Sequence, residues 1–215
     1  MVFPIMVTLN ELKSYSLYTL DWRTILATNG GVDADMNQPF PLASLIGNTD
    51  LDTILEVLTN KPEYVCHWRK FAVAVVDSIQ HLMPNKDLTS ALDVAWNYAC
   101  GDCTNSDLAK VRKMATTAAG EARSAARLKS TYIPMLDAHL DAAWAVWEVT
   151  RPVVNISLVV AHTQAAIAWA LEEEGLEAIL TAQLVAETEQ ARILSELITT
   201  GQIERSNYGT TRNQC

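Results

Sequence analysis

Positive charge is scarce in this chain. Sixteen Lys and Arg face 25 Asp and Glu, a formal net charge of −9. A general DNA- or RNA-binding surface needs clustered cations, so that class is excluded first. Glycine and proline are also sparse, at 8 and 7 of 215 residues, too few for a loop-rich or β-rich protein of this size. No apolar run is long enough to span a bilayer. The longest, Ile156 to Leu171, is 16 residues and holds His162, Thr163 and Gln164, against the roughly 20 a spanning helix needs. The opening "MVFPIMVTLNELK" lacks a cationic flank, and its apolar run is too short for an export signal. The expectation is a cytoplasmic protein whose four cysteines are reduced thiols, where the Asn155-Ile156-Ser157 sequon has no meaning.

What is present is helix-forming sequence. Hydrophobic residues make up 49% of the chain, enough for a sizeable core, and alanine is heavily used from Ala91 to Ala191. Leu9, Leu12 and Tyr15 predict a short first helix, and Leu17, Leu20, Ile25 and Leu26 a second segment. Gly30, Gly31, Pro39 and Pro41 mark residues 29–41 as a loop. Thr49 or Asp50 caps a helix through Leu58, and Pro62 opens a long segment to Met83 that Pro84 and Asn85 break. Asp87 or Ser90 starts the next helix, Gly101 ends it, and Thr104 with Asp107 forms a capping-box-like start for another. Its expected buried stripe is Leu108, Val111, Ala115, Ala118, Ala119, Ala122 and Ala126. Pro134 opens a further helix that Pro152 ends, and Gly175 separates two more over 153–174 and 176–199. The predicted architecture is all-α: a bundle of about eight helices with an alanine-rich, tightly packed core. Residues 1–60 are expected to form a small amino-terminal helical unit packed on the bundle, residues 61–200 the main bundle, and 201–215 a polar tail.

Candidate chemistry is thin. The C-x-x-C of Cys100 and Cys103 in "WNYACGDCTN" would need two more ligands to hold zinc, and Cys66-His67 is the sole other Cys/His cluster. A thioredoxin-like role expects such a pair after a strand, at the amino end of a helix, and none is predicted here. The favoured reading is two small residues at a corner between helices, with no metal and no cofactor. Asp33 to Asn37 imitates the start of a calcium loop but fails at Gln38 and Ser44, where Gly and Glu belong. His67, His81, His139 and His162 have no Glu three residues before them, which removes a di-iron centre. Asp137, His139 and Asp141 come nearest to an acid–base cluster, yet on a helix the histidine faces away from the two acids, so convergence needs a partner helix. Trp96, Trp144, Trp147 and Trp169, spaced among alanines, are expected to pack into the core.

Charge is uneven along the second half. Residues 105–130 carry six Lys and Arg against Asp107 and Glu121, whereas 136–199 carry ten acids against Arg151 and Arg192. Two readings stand: a basic helix lying beside acidic ones, or an acidic face exposed for a partner.

The run "RKFAVAVVDSIQHLMPN", "ALDVAWNYACGDCTNSDLAKVRKMA" and "DAAWAVWEV" resembles the alanine- and tryptophan-rich helical immunity-protein-like family common in bacteriophages and bacteria. The likeness covers roughly residues 66–150, with Ala95, Tyr98, Gly101, Asp107, Leu108 and Arg112 at the pattern's places. Cys100 and Cys103 depart from it, since that corner usually carries charged or polar residues. The resemblance implies no enzyme activity and carries over no functional residues. It implies a phage-borne counter-defence protein that binds and neutralises or redirects a toxin, defence or host protein in the host cytoplasm, and the acidic half suits a basic partner. Two alternatives remain: a bundle sequestering a small molecule such as a signalling nucleotide, with Arg123, Arg127 and Lys129 as its cationic cluster, or an assembly protein acting as a homo-oligomer.

Overall fold

Helices in this chain start and stop where capping chemistry puts them. The computed structural model describes residues 3–15, 22–49, 51–128, 133–203 and 205. Among these it is all-α, with eight helices of seven residues or more, one shorter helix and a pair of two-residue strands. The chain divides into two units: Met1–Tyr64 with Glu189–Ile203, and Val65–Thr188 with Glu204–Cys215.

In the first unit, β1 (Met6–Val7) pairs antiparallel with β2 (Phe40–Pro41), so the stretch expected to be all loop ends in a strand. Helix α1 (Leu9–Ser14) opens on a reciprocal capping box. Thr8 Oγ1 accepts from the Glu11 N–H at 3.1 Å, and Glu11 accepts from the Thr8 N–H at 2.7 Å. The Glu11 carboxylate also meets Lys61 Nζ at 3.2 Å. Burial opposes its charge, but the Thr8 and Lys61 contacts outweigh burial and hold its pKa below the usual carboxylate range. Helices α2 (Trp22–Thr28) and α3 (Leu51–Thr59) bury Ile25, Ile54, Leu55 and Leu58. Leu17 and Leu20, expected to begin α2, and Asp50, one of two proposed caps for α3, lie outside the described residues. The Ile5 N–H donates to Ile198 at 2.9 Å, which joins the first strand's approach to the end of the last helix. Glu189–Ile203 groups with Met1–Tyr64, and Leu194, Leu197 and Ile198 within it are buried.

The second unit is the bundle: α4 (Val65–Asp77), α5 (Lys86–Cys100), α6 (Asn105–Leu128), α7 (Pro134–Val149), α8 (Ile156–Ala170) and the first half of α9 (Leu176–Thr200). Consecutive helices from α4 to α8 pack pairwise, most extensively α7 on α8, and α4 closes back on α8. Ala91 and Ala95 of α5, Ala115, Ala118, Ala119 and Ala122 of α6, and Ala138, Ala142, Ala143 and Ala145 of α7 are buried. Short side chains on all three helices let their backbones approach closely, as the alanine content predicts. Two boundaries differ from the sequence reading. Helix α4 stops at Asp77 instead of continuing to Met83, because residues 78–83 tighten into a 3₁₀ turn over Gln80–Leu82. Helix α5 starts at Lys86, because Asn85, read as a breaker, is its cap and accepts from the Leu88 N–H at 3.2 Å.

Candidate functional site

The "WNYACGDCTN" corner is a helix–helix joint. Gly101 takes φ +92°, its N–H donates to Tyr98 at 3.1 Å, and the Asp102 N–H donates to Asn97 at 2.8 Å. That pair of bonds is a Schellman end, which favours a residue free to adopt left-handed backbone. Thr104 and Asp107 then exchange bonds, Thr104 N–H to Asp107 Oδ2 at 3.1 Å and Asp107 N–H to Thr104 Oγ1 at 3.3 Å. Cys100 is the last residue of α5, Cys103 sits in the turn, and Cys66 and His67 lie in the first turn of α4. Cys66, Cys100 and Cys103 are free thiols. Among the described residues no group of three or more His, Cys, Asp or Glu is arranged to hold a metal ion.

The acid–base cluster sought on α7 gains its partner from α8. Asp141 Oδ1 lies 2.8 Å from His162 Nδ1, and Trp169 Nε1–H donates to Asp141 Oδ2 at 3.0 Å. Asp137 and His139 are not part of that triad of contacts. Burial lowers the His139 pKa, so this histidine favours its neutral form. A hydrolytic site would also need a nucleophile. Thr163, the hydroxyl next to His162, is fully buried and donates to Val159 at 2.8 Å. The arrangement pins α7 to α8 through one half-buried carboxylate. His162 was visible in sequence only as a histidine inside an apolar run.

The four tryptophans expected in the core are half-buried instead, and Trp68 of α4 is the buried one. An indole has one N–H and a large face, and each of the four uses one of them on a polar neighbour. Arg123 stacks 5.3 Å from the centre of Trp144, Arg151 5.3 Å from Trp147, and Lys70 5.8 Å and Arg205 5.9 Å from Trp96. Trp169 uses its N–H on Asp141. Of the cationic cluster proposed for an anionic ligand, Arg123 is engaged with Trp144, Arg127 is exposed near the end of α6, and Lys129 lies outside the described residues.

The acidic half sorts into two kinds of residue. Glu148 is buried against Arg151 at 2.9 Å, Asp141 holds His162, and Glu189 and Glu196 bind Arg192. Glu172, Glu173, Glu174 and Glu177 are exposed at or just beyond the corner between α8 and α9, and Glu187 is exposed about three turns farther along α9. That corner is a 3₁₀ turn, Glu172–Glu174, followed by Gly175 at φ +96°, ψ 172°. Only glycine occupies this region comfortably, so Gly175 resets the chain direction and α9 begins at Leu176. Beside the turn is a shallow groove of about 470 Å³ lined by Leu171, Glu174, Glu177, Ala178, Thr181 and Ala182.

Helix α9 then leaves large apolar side chains in solvent. Leu176, Leu180, Leu184 and Val185 are 70%, 56%, 65% and 65% exposed. Each step of four residues turns about 40° round a helix, so the three leucines form one slanting ridge. Grouped on one stretch of helix, they differ from the scattered single apolar residues common on any protein surface. The sequence pattern predicts a helix over 176–199 and does not show which of its residues stay exposed. No protein-family model, curated protein or solved structure matches this chain. Among the described residues, no helix is long and apolar enough to cross a membrane.

Proposed function

We propose that this is a non-enzymatic interaction protein, and that the leucine ridge at the start of α9 is its binding face. The observation that carries the reading is four large apolar side chains exposed within ten residues, bordered by Glu172, Glu173, Glu174, Glu177 and Glu187. Fully burying one Leu or Val contributes about 1.5–3 kcal/mol, so covering four that are already partly sheltered contributes on the order of 5 kcal/mol before association costs. The acids dictate the sign of the partner. A protein segment presenting a basic amphipathic helix would lay apolar residues on the ridge and its Lys or Arg among the glutamates. An anionic nucleotide would meet Glu174 and Glu177 in the adjoining groove and be repelled. The likeness of residues 66–150 to immunity-protein-like sequences is in keeping with a toxin, defence or host protein as the target, in a phage counter-defence setting.

The test uses a synthetic Leu/Lys amphipathic peptide as probe. Saturable binding by fluorescence anisotropy is expected for the native chain, and L180D with L184D should weaken it at least tenfold while leaving helicity and Tm in place. No saturable binding, or equal binding by the double variant, overturns the reading. Concentration-dependent light scattering that the double variant abolishes would instead assign the ridge to a second copy of the chain.

A further inference from the structure

Asp77 is an unusual place for a charge. It is the last residue of α4, where the helix dipole is negative, and its side chain is fully buried. A carboxylate at that position and depth is costly without a cation beside it. Gln80 Nε2 gives one hydrogen bond to Oδ1 at 2.5 Å. The cation comes from Arg205, which stands outside any helix, 128 residues along the chain. Its Nε donates to Asp77 Oδ2 at 2.5 Å and one terminal nitrogen donates to Oδ1 at 2.9 Å, a side-on fork. The other terminal nitrogen donates to Asp93 at 2.8 Å, and the guanidinium carbon lies 5.9 Å from the centre of the Trp96 ring. Burial opposes the charge on Arg205, but its bonds to Asp77 and then Asp93 outweigh that and raise its pKa.

Every part of this recess suits a planar, forked cation. Two carboxylates accept from three of the five guanidinium N–H directions, and the Trp96 ring lies within cation–π range. An ammonium has no planar fork to lay along both oxygens of Asp77 and would leave Oδ1 to Gln80 alone. We propose that the recess formed by Asp77, Asp93 and Trp96 is a guanidinium-binding site that Arg205 occupies in cis, and that an arginine side chain from another protein segment takes its place when Arg205 is withdrawn. Arg205 is then an internal competitor that keeps the site closed. This site is distinct from the leucine ridge and stands or falls independently of it.

Chemical rescue tests it in the full chain. R205A should lower Tm by roughly 5 °C or more, because it strands a buried carboxylate. Arginine amide at millimolar concentration should restore Tm saturably in R205A, with lysine amide at least tenfold less effective. The native chain should respond at least tenfold more weakly than R205A, since its own arginine holds the site. D77N combined with R205A should abolish the response. Unchanged Tm in R205A, equal rescue by lysine amide, or rescue that survives D77N would each overturn the proposal. If R205A does not fold, R205K is the variant to use: it keeps the charge without the fork, and arginine amide should stabilise it where lysine amide does not. A lack of that difference overturns the proposal equally.

Discussion

Arg69 offers the sharpest test of how the bundle is held together. It lies in the first half of α4, between Trp68 and Lys70, and only 1% of it is exposed. One terminal nitrogen donates to the carbonyl of Val149, the last residue of α7, and the other to the carbonyl of Pro152 at 3.0 Å. The final carbonyls of a helix have no partner within it, so Arg69 acts as a cap supplied from a neighbouring helix. Its guanidinium also sits 5.0 Å from the centre of the Tyr98 ring. Burial draws its pKa below the ordinary arginine value, only partly offset by Tyr98 and Cys66, yet arginine starts so high that the side chain stays charged. Hydrogen bonds from a charged donor contribute about 1.5–3 kcal/mol each, and R69M recovers part of that by releasing a buried charge, so a loss of about 3 kcal/mol is expected. For a chain of this length that lowers Tm by about 6–12 °C. R69K should lose about half as much, because an ammonium reaches one carbonyl well and stacks poorly. Thermal unfolding followed by circular dichroism reads both. An R69M chain that melts within about 1 °C of the native one would refute the capping role.

Other perturbations follow from the same geometry. G101A forces a side chain into left-handed backbone and should cost about 1–2 kcal/mol, read by chemical denaturation; no loss would mean that the corner relaxes. Asp141→Ala removes the acceptor shared by His162 and Trp169 and should destabilise by about 1–3 kcal/mol while changing tryptophan emission, whereas a purely solvated carboxylate would do neither. Stability should fall on acidification in two stages. Burial, with Lys70 for His67, lowers the pKa of His67 and His139, so below about 6.5 the unfolded chain binds more protons than the folded one. Glu11 and Glu189, held below the usual carboxylate range, extend the loss once pH drops under about 4.5. H67N with H139N should flatten the upper stage and leave the lower one, as read from Tm measured across pH.

Local chemistry was legible residue by residue. The Gly101 turn, the Thr104–Asp107 box, Pro134 at the start of α7 and the Gly175 break are all set by atoms within a few positions of each other, and each stands where its residues imply. The alanine stripe of α6 was equally readable from period, apart from Ala126, which is only half-buried. What failed was the inference from residue type to environment. Tryptophans spaced among alanines suggested core, but an indole beside an arginine on the next helix gains a cation–π contact at a half-exposed site, and periodicity does not show the neighbour.

Composition and period therefore determine that this chain is helical, where most helices begin and end, and that its second half carries excess acid. Tertiary packing decides which of those acids are consumed. Asp141 meets a histidine one helix on and Glu148 is buried against Arg151, whereas Glu173, Glu174 and Glu177 near Gly175 stay exposed beside the leucine ridge; in the first half, Asp77 meets an arginine 128 residues away. The physical reason is range. Caps and turns close through hydrogen bonds between near neighbours in sequence, whereas the partner of a buried charge is fixed only when distant segments pack.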